Sequence, residues 1–431
     1  MQRRVLEIFT EITRISRCSG ETSEMQAYLL RFAEKCGYRA ESDEAGNVMA
    51  YGKRAGVTLQ SHYDMVCIGK APEIETVVED GWMRAEESSL GADNGMGVAM
   101  MLALMERNAA ADFLFTNDEE IGLIGASKLA LKIRTPYLLN LDSEELGKIY
   151  IGCAGGEDIY AGMPLERVPV SGGRWWRLRA SAPGGHSGVN IADGIPNAIT
   201  ELCAAIAAEP TVKIASIEGG ERINAIPRHA EALVSLPESA TPLSGNSRVV
   251  FQEAEPPEGG RVCKGGRRIV EGLFGFAHGV RAWNRELGLP ESSINLAQVK
   301  MEEGRLTVAC SGRAMSNEEL ARLSDQTVAG WEALGYRCER EGKYPAWKPQ
   351  KGPFAKKVLI LYRRYLPEAS YAAIHAGLEC AIFAEKFPRL QIASIGPTIL
   401  DPHSDRERVD LASVETVMRV VEDLIADLSP V

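Results

Sequence analysis

The sequence predicts an α/β domain with a mainly parallel central sheet, interrupted by an inserted α+β domain. Three observations carry this expectation. Helix-like and strand-like segments alternate through the first 160 residues, the pattern of helices layered on a sheet. Near residue 170 the texture changes to half-exposed strands and turns, and alternation resumes late in the chain. The chain has 431 residues, too many for one ordinary core. The expected division is 1–170 with 346–431 as one discontinuous domain and 171–345 as the insertion. The Pro-containing stretch "KYPAWKPQKG" at 343–352 serves as the returning linker.

In order, Val5, Ile8, Ile12 and Ile15 fall at helical spacing, which predicts a helix over 2–17. In "SEMQAYLLRFAEKCG", Ser23 and Gln26 form a capping-box pattern and Gly37 a helix stop. "VMAYG" and "GVTLQSHYD" read as strands. "NGMGVAMMLALMERN" is a helix with Val98, Met101, Leu102 and Met105 on one face. "DFLFTNDEE" and "PYLLNLDSEE" are strands running into turns, with "LIGASKLALKI" a helix between them. In the insertion, "RWWRLRAS", "EALVSL" and "SRVVFQEAE" read as strands and "NAITELCAAIAAE" as a helix. "EPPEGGRVCKGGRR" reads as a turn-rich loop, and "RLTVACSGRAMSNEELARLSDQTVAGWEALGY" as a strand followed by a long helix. "PFAKKVLILYRRYL" and "SVETVMRVVEDLIADL" close the chain with helices.

Apolar content of 45% and charged content of 25% are those of a soluble globular protein. A net charge of −11 argues against nucleic acid or an anionic membrane as partner. No run approaches the roughly 20 apolar residues of a membrane span, and the charged N-terminus is not a signal peptide. Nine cysteines lie singly, without a CxxC, so a disulfide scaffold is not expected and Cys67 reads as a buried inert thiol. A cytoplasmic chain fits these features.

Four strand-like runs are followed by metal-competent residues. "TLQSHYD" supplies His62 and Asp64, "SLGADNG" Asp93, "FLFTNDEE" Glu119 and Glu120, and "LLNLDSEE" Asp142. A late loop, "GPTILDPHSDRE", adds His403. In open α/β sheets, sites form beyond the carboxyl ends of the strands, where these residues would converge. Each piece alone is weak: HxD is usually structural, and an acidic pair after a strand is usually a solvated turn. Together, two histidines and several carboxylates form a ligand set for zinc or a related divalent ion. Two ions would need a bridging carboxylate, and a free carboxylate beside an activated water can take its proton. The residues do not themselves say which of Glu119 and Glu120 would do so.

In this order the motifs resemble the di-zinc exopeptidase superfamily. "LQSHYDMV", "LGADNGMGVA", "LDSEELGKIYIGCAGGED", "GGHSGVNI", "RINAIPR", "YPAWKP" and "IHAGLECAIF" resemble its aminoacyl-histidine dipeptidase branch, from about residue 10 to the C-terminus. The resemblance implies a zinc-exopeptidase catalytic domain with an inserted lid domain. It implies Asp93 as a bridge between two ions, His62 and Asp142 completing one, and Glu120 and His403 the other. It implies Glu119 as general base, with Asp64 orienting the His62 imidazole. The ions would be Zn2+, or else Co2+ or Mn2+, the substrate a small unblocked dipeptide, and the assembly a homodimer.

In the insertion, His186 of "APGGHSG" resembles a lid histidine that polarises the scissile carbonyl, often from the partner subunit. Otherwise a Gly-flanked histidine caps a turn. Asn224 and Arg228 of "GGERINAIPRH" are candidates for the substrate carboxylate or carbonyl. His375 of "AIHAGLE" is a further pocket candidate, the alternative being a satisfied core histidine. His229 and His278 read as structural. The insertion is shorter than is common in this branch, "ACSGRAMS" replaces a serine-rich strand, and Asp118 stands where a small hydroxyl residue is usual. Within the same chemistry, the alternative activity is an amidohydrolase or carboxypeptidase acting on N-acyl amino acids. Outside it, the alternative is a non-catalytic metal-retaining protein, for which a base such as Glu119 would have no use.

Overall fold

The computed structural model describes residues 2–170, 172–238, 247–302 and 304–429. Residue 171, where the insertion was expected to begin, lies outside them. Two compact units result: 1–153 with 347–373 and 378–431, and 154–346 with 374–377. The first boundary therefore falls at 153, not 170. The reason is strand Gly155–Pro164, whose two neighbours, Arg305–Ala314 and Arg337–Tyr344, both belong to the second unit.

The first unit is built on an eight-stranded sheet. Its four central strands are parallel, in the order Asp112–Thr116, Thr58–His62, Tyr137–Asn140 and Gln391–Ser394. Antiparallel strands flank them. Every residue of Thr58–His62 and Asp112–Thr116 is buried, as parallel strands covered on both faces require. The polar members are satisfied laterally. Gln60 Nε2 donates to Thr116 Oγ1 at 3.0 Å, Asn140 Nδ2 to Gln60 Oε1 at 2.7 Å, and Ser394 Oγ to Asn140 Oδ1 at 2.5 Å. This polar ladder crosses all four parallel strands just below their carboxyl ends, where it costs little because each group has a partner.

Helix Ala92–Glu106 is buried from Ala92 to Met105, wider than the one face expected. A helix apolar all round has nowhere to go but the core. The N-terminal helix ends at Ile12, short of residue 17, so Arg17 lies beyond it. The capping box expected from Ser23 does not form. Ser23 is already helical, Thr22 is the N-cap, and its hydroxyl donates instead to Asn117 Oδ1 at 2.7 Å. The "LIGASKLALKI" helix shrinks to Ile124–Lys128. Cys18 and Cys67 form a disulfide with Cα atoms 5.5 Å apart, so Cys67 is not a free thiol. Their separation of 49 residues carries no spacing signal, which is why sequence reading missed it.

The second unit is built on a nine-stranded antiparallel sheet. Helices Ala198–Ala207, Gly266–Phe274 and Asn317–Ala333 pack into one core with it through Leu202, Leu273 and Trp331. Asn197 caps the first, its Oδ1 accepting from Ile199 N at 2.9 Å. The expected turn-rich loop at 255–268 instead holds strand Arg261–Cys263 and the start of helix Gly266–Phe274.

Two chain segments touch where the parallel strands end in the first unit. A Cβ on Gly396 would run into the backbone of Ser143, next to Asp142. We expect Gly396→Ala to destabilise this unit by about 1–3 kcal/mol through overpacking. Chemical denaturation reads the effect as a lower midpoint, and an unchanged midpoint would contradict the close approach.

Candidate metal centre

The parallel strands deliver most of the site. His62 is the last residue of Thr58–His62 and is 1% exposed. Glu119 and Glu120 follow strand Asp112–Thr116, and Asp142 follows Tyr137–Asn140. Asp93 opens helix Ala92–Glu106, where Gly91 is the N-cap. His403 comes from a loop after Ile399–Leu400, and it adopts a left-handed φ of 57°.

Asp93 lies between the two imidazoles. Its Oδ1 is 3.2 Å from His62 Nε2 and its Oδ2 is 3.0 Å from His403 Nε2. Asp142 Oδ1 is 3.1 Å from His62 Nε2, and Glu120 Oε1 is 2.9 Å from His403 Nε2. Two triplets follow, His62 with Asp93 and Asp142, and Glu120 with Asp93 and His403, each with its ligand atoms within 4.8 Å of one another. A third triplet joins His62, Glu119 and Glu120, so the Glu119 carboxylate borders both.

The donor chemistry fits two divalent cations. His62 Nδ1 lies 3.1 Å from the main-chain oxygen of Asp64. If Nδ1 carries the proton there, Nε2 presents a lone pair to two carboxylates that also hold lone pairs. Glu120 Oε1 is buried and has no hydrogen-bond partner in good geometry. Such a gathering of acceptors is stable only with protons or cations among them.

The titration behaviour reflects that crowding. Burial, then the Asp93 charge, pushes the Glu120 carboxyl up to about 7. Burial raises Glu119 well above the carboxylate range, with Glu120, Asp142 and Glu379 adding to it against the opposing His62. Asp142 is raised by burial, with Asp93 adding and His62 opposing. Burial would lower both histidines. For His62, the Asp142 charge more than offsets it. For His403, the hydrogen bond to Asp93 and the close Glu120 carboxylate do so, carrying it up to about 12. Asp93 moves the other way: despite burial, His403 and His62 hold it far below its ordinary range.

Asp64 does more than the expected orientation of His62. Its Oδ1 is 3.4 Å from His62 Nδ1, too long for a strong hydrogen bond. The carboxylate instead accepts from Glu119 N at 3.0 Å, Glu120 N at 3.3 Å and Ser19 Oγ at 2.7 Å. It therefore fixes the acidic turn. Asp118, with a left-handed φ of 51°, accepts from Gly20 N at 2.7 Å and Asn117 Nδ2 at 3.0 Å. It ties the turn to the 17–22 loop.

The remaining expected residues belong to the second unit. Pairing of Gly185–His186 with Ala225–Ile226 brings His186 beside Asn224, whose carbonyl accepts from Ser187 N at 2.9 Å. His186 Nδ1 accepts from Val189 N at 3.1 Å and Gly188 N at 3.3 Å, a turn-capping arrangement that assigns the ring proton to Nε2. Gly188 packs against the backbone of His375 and against Arg313, so His375 joins this cluster. His375 Nε2 is 2.8 Å from Ser293 Oγ, and burial lowers the imidazole to about 3, so it stays neutral. Arg228 is exposed and packs over Gly184.

Sequence reading gave no task to several residues of the first unit. Glu144, two residues past Asp142 in "DSEE", is raised well above its ordinary range by burial and by Asp93 and Asp142. The motif contained it, and alternation along an extended segment could have placed it on the Asp142 side. Glu379 is fully buried, accepting from Gln60 Nε2 at 2.6 Å and Thr116 Oγ1 at 2.7 Å. Arg17 and Glu407 are buried charges that nothing in the sequence separates from surface ones.

Residues 47–150 match peptidase family M28, and residues 170–247 match a peptidase dimerisation domain. The chain is 28% identical over 470 aligned residues to the cytosol non-specific dipeptidase of Escherichia coli (strain K12), covering 98% of this chain and 97% of that protein. Among solved structures it resembles aminoacylhistidine dipeptidase from Vibrio alginolyticus, with TM-score 0.80 and 27% identity over 99% of this chain and 96% of that one. A tripeptidase from Staphylococcus aureus shares the fold, with TM-score 0.60 and 17% identity over 99% and 98% of the two chains.

Metal uptake should depend on pH with a definite sign. Glu119, Glu120, Asp142 and both histidines hold protons above their ordinary ranges, and ligands must shed protons to bind metal. Apparent Zn2+ affinity is therefore expected to rise with pH through about 7, the Glu120 value, with protons released on binding. Calorimetry in two buffers of different ionisation enthalpy measures that release. Binding with no proton release between pH 6 and pH 8 would contradict the assignment of these donors.

Proposed function

We propose that this chain, related along nearly its whole length to cytosol non-specific dipeptidase and aminoacylhistidine dipeptidase, is a metal-dependent hydrolase of small unblocked dipeptides. The observation that carries the reading is the pair of ligand triplets sharing Asp93, with the Glu119 carboxylate beside them. His62 and Asp142 would hold one ion and Glu120 and His403 the other, with Asp93 between. Zn2+ is the first choice for two histidines and three carboxylates, with Co2+ or Mn2+ as alternatives. Bound there, such ions polarise a carbonyl and lower the pKa of water toward neutrality.

The protein's own groups then have separate tasks. Glu119 removes the proton from the attacking water and passes it to the leaving amine. Its raised affinity for a proton suits a group that must receive one, and neighbouring cations would bring it back toward neutrality. Asp64 holds the Glu119–Glu120 turn by accepting both main-chain N–H groups, so base and ligand keep their spacing. In the second unit, His186 with its proton on Nε2 is the donor assigned to the developing oxyanion. Asn224 supports that position, and Arg228 is assigned to the substrate carboxylate. His375, neutral and held by Ser293, lines the His186 turn and is assigned there to the substrate pocket.

The match to a peptidase dimerisation domain supports a homodimer. The name of the Escherichia coli relative supports a cytoplasmic location. Among the described residues no helix is long and apolar enough to cross a membrane. Activity on N-acyl amino acids is the weaker alternative, because the relatives matched over nearly the whole chain carry dipeptidase names.

The test is a dipeptide panel with and without chelator, on wild type and Glu119→Ala. Wild type should cleave and lose activity to chelator. The variant should lose about 10²–10⁴-fold in kcat while keeping the wild-type metal content. Loss of metal from the variant would reverse the roles of Glu119 and Glu120, and no cleavage by metal-loaded wild type would defeat the reading.

A further inference from the structure

Glu407 is 2% exposed and lies four residues beyond His403. Its carboxylate gathers three main-chain donors from the loop that carries Asp93. Oε2 accepts from Leu90 N at 2.9 Å and Gly91 N at 2.8 Å, and Oε1 accepts from Asp93 N at 3.1 Å. Gly91 is the N-cap of the following helix and has no side chain to offer, so the cap comes from a distant part of the chain. From the other side comes Arg17, 1% exposed. Its Nη2 donates to Gly91 O at 2.5 Å and its Nη1 to Tyr63 O at 3.3 Å, next to His62. A Cβ on Gly91, whose φ is +68°, would collide with that guanidinium. The loop is thus gripped through its N–H groups by one buried charge and through its carbonyl by the opposite one.

The His403 side of the connection is short and folded on itself. Ser404 Oγ donates to Asp401 O at 2.7 Å and accepts from Arg406 N at 3.1 Å, and Glu407 N donates to Ser404 O at 3.3 Å. A compact loop joins His403 to the carboxylate that holds Asp93. We propose that Glu407 is a positioning residue, with Arg17 its counterpart. It locks the bridging Asp93 to the His403 loop and so sets the geometry of the Glu120–His403 ion position. The inference rests on the two-ion reading above. Glu407 touches neither substrate nor ion, and it acts through the backbone of Asp93 and the path of the His403 loop. His62 and Asp142 stand on strand ends outside that loop, so their ion position depends on it less.

The test separates this role from general support of the fold. Wild type and Glu407→Gln, stripped by chelator, are titrated with Zn2+ against a chromophoric chelator to obtain stepwise affinities. Thermal melts of the metal-free forms accompany the titration. Gln offers one oxygen where three N–H groups now meet two. Wild type should take two equivalents. The variant should keep one near wild-type affinity and bind the other about 10–100-fold more weakly. Unchanged affinities for both, or an equal loss in both together with a lower metal-free Tm, would overturn the proposal. Wild type taking fewer than two equivalents defeats the two-ion reading instead. If Glu407→Gln lacks native far-UV circular dichroism, Glu407→Asp, which keeps the charge on a shorter arm, is read by the same outcomes.

Discussion

Like charge held close together in a dry place is the constraint on which the rest of this site depends. Asp93, Glu119, Glu120, Asp142 and Glu144 interact electrostatically beyond the carboxyl ends of the parallel strands, and burial favours the protonated form of each, with only Asp93 carried the other way by His403 and His62. Only a compensating positive charge lets such a group persist in ionised form. The two histidines supply part of it when protonated. Divalent cations supply more, and then the imidazoles serve as neutral ligands. The acidic crowding therefore suits a cation site, and in the proposed reading it also prepares a base beside it.

The scaffold keeps those groups from relaxing apart. A polar ladder through Thr116, Gln60, Asn140 and Ser394 ties the four parallel strands just below the site. Glu379 anchors that ladder at Gln60 and Thr116. Above it, Asp64 holds the Glu119–Glu120 turn, and Asp118 ties that turn to Gly20. The strand ends and the acidic turn that carry most of the candidate ligands are thus held by neighbours such as Asp64, Asp118 and Glu379, the kind of support that fixes ligand orientation in metal sites.

Much of this was legible because parallel strands bury both faces and end abruptly. "FLFT" and "YLLN" announce themselves as apolar runs, and the polar residues after them stand out, whereas "TLQSH" is strand-like with only Leu59 apolar. The structure brings His62, Asp93, Glu120, Asp142 and His403 together, the set that the family resemblance implies. Less was legible where side chains act across long sequence separations. Glu407 and Arg17 look like surface charges until their partners, 316 and 74 residues away for Gly91, are known. Asp118 stands where the family pattern has a small hydroxyl residue, and sequence does not tell a turn-tying aspartate from a third active carboxylate. The Cys18–Cys67 bridge and the 261–274 strand and helix were missed for a related reason, since packing rather than local pattern determines them.

The central claim is that Asp93 stands between two cations. Anomalous diffraction from crystals of the Zn2+-loaded protein tests it most directly. The account expects two peaks about 3.5–4 Å apart, one within ligand distance of His62 and Asp142, the other of Glu120 and His403, and both of Asp93. A single peak at full occupancy, or two peaks that Asp93 does not join, would contradict it.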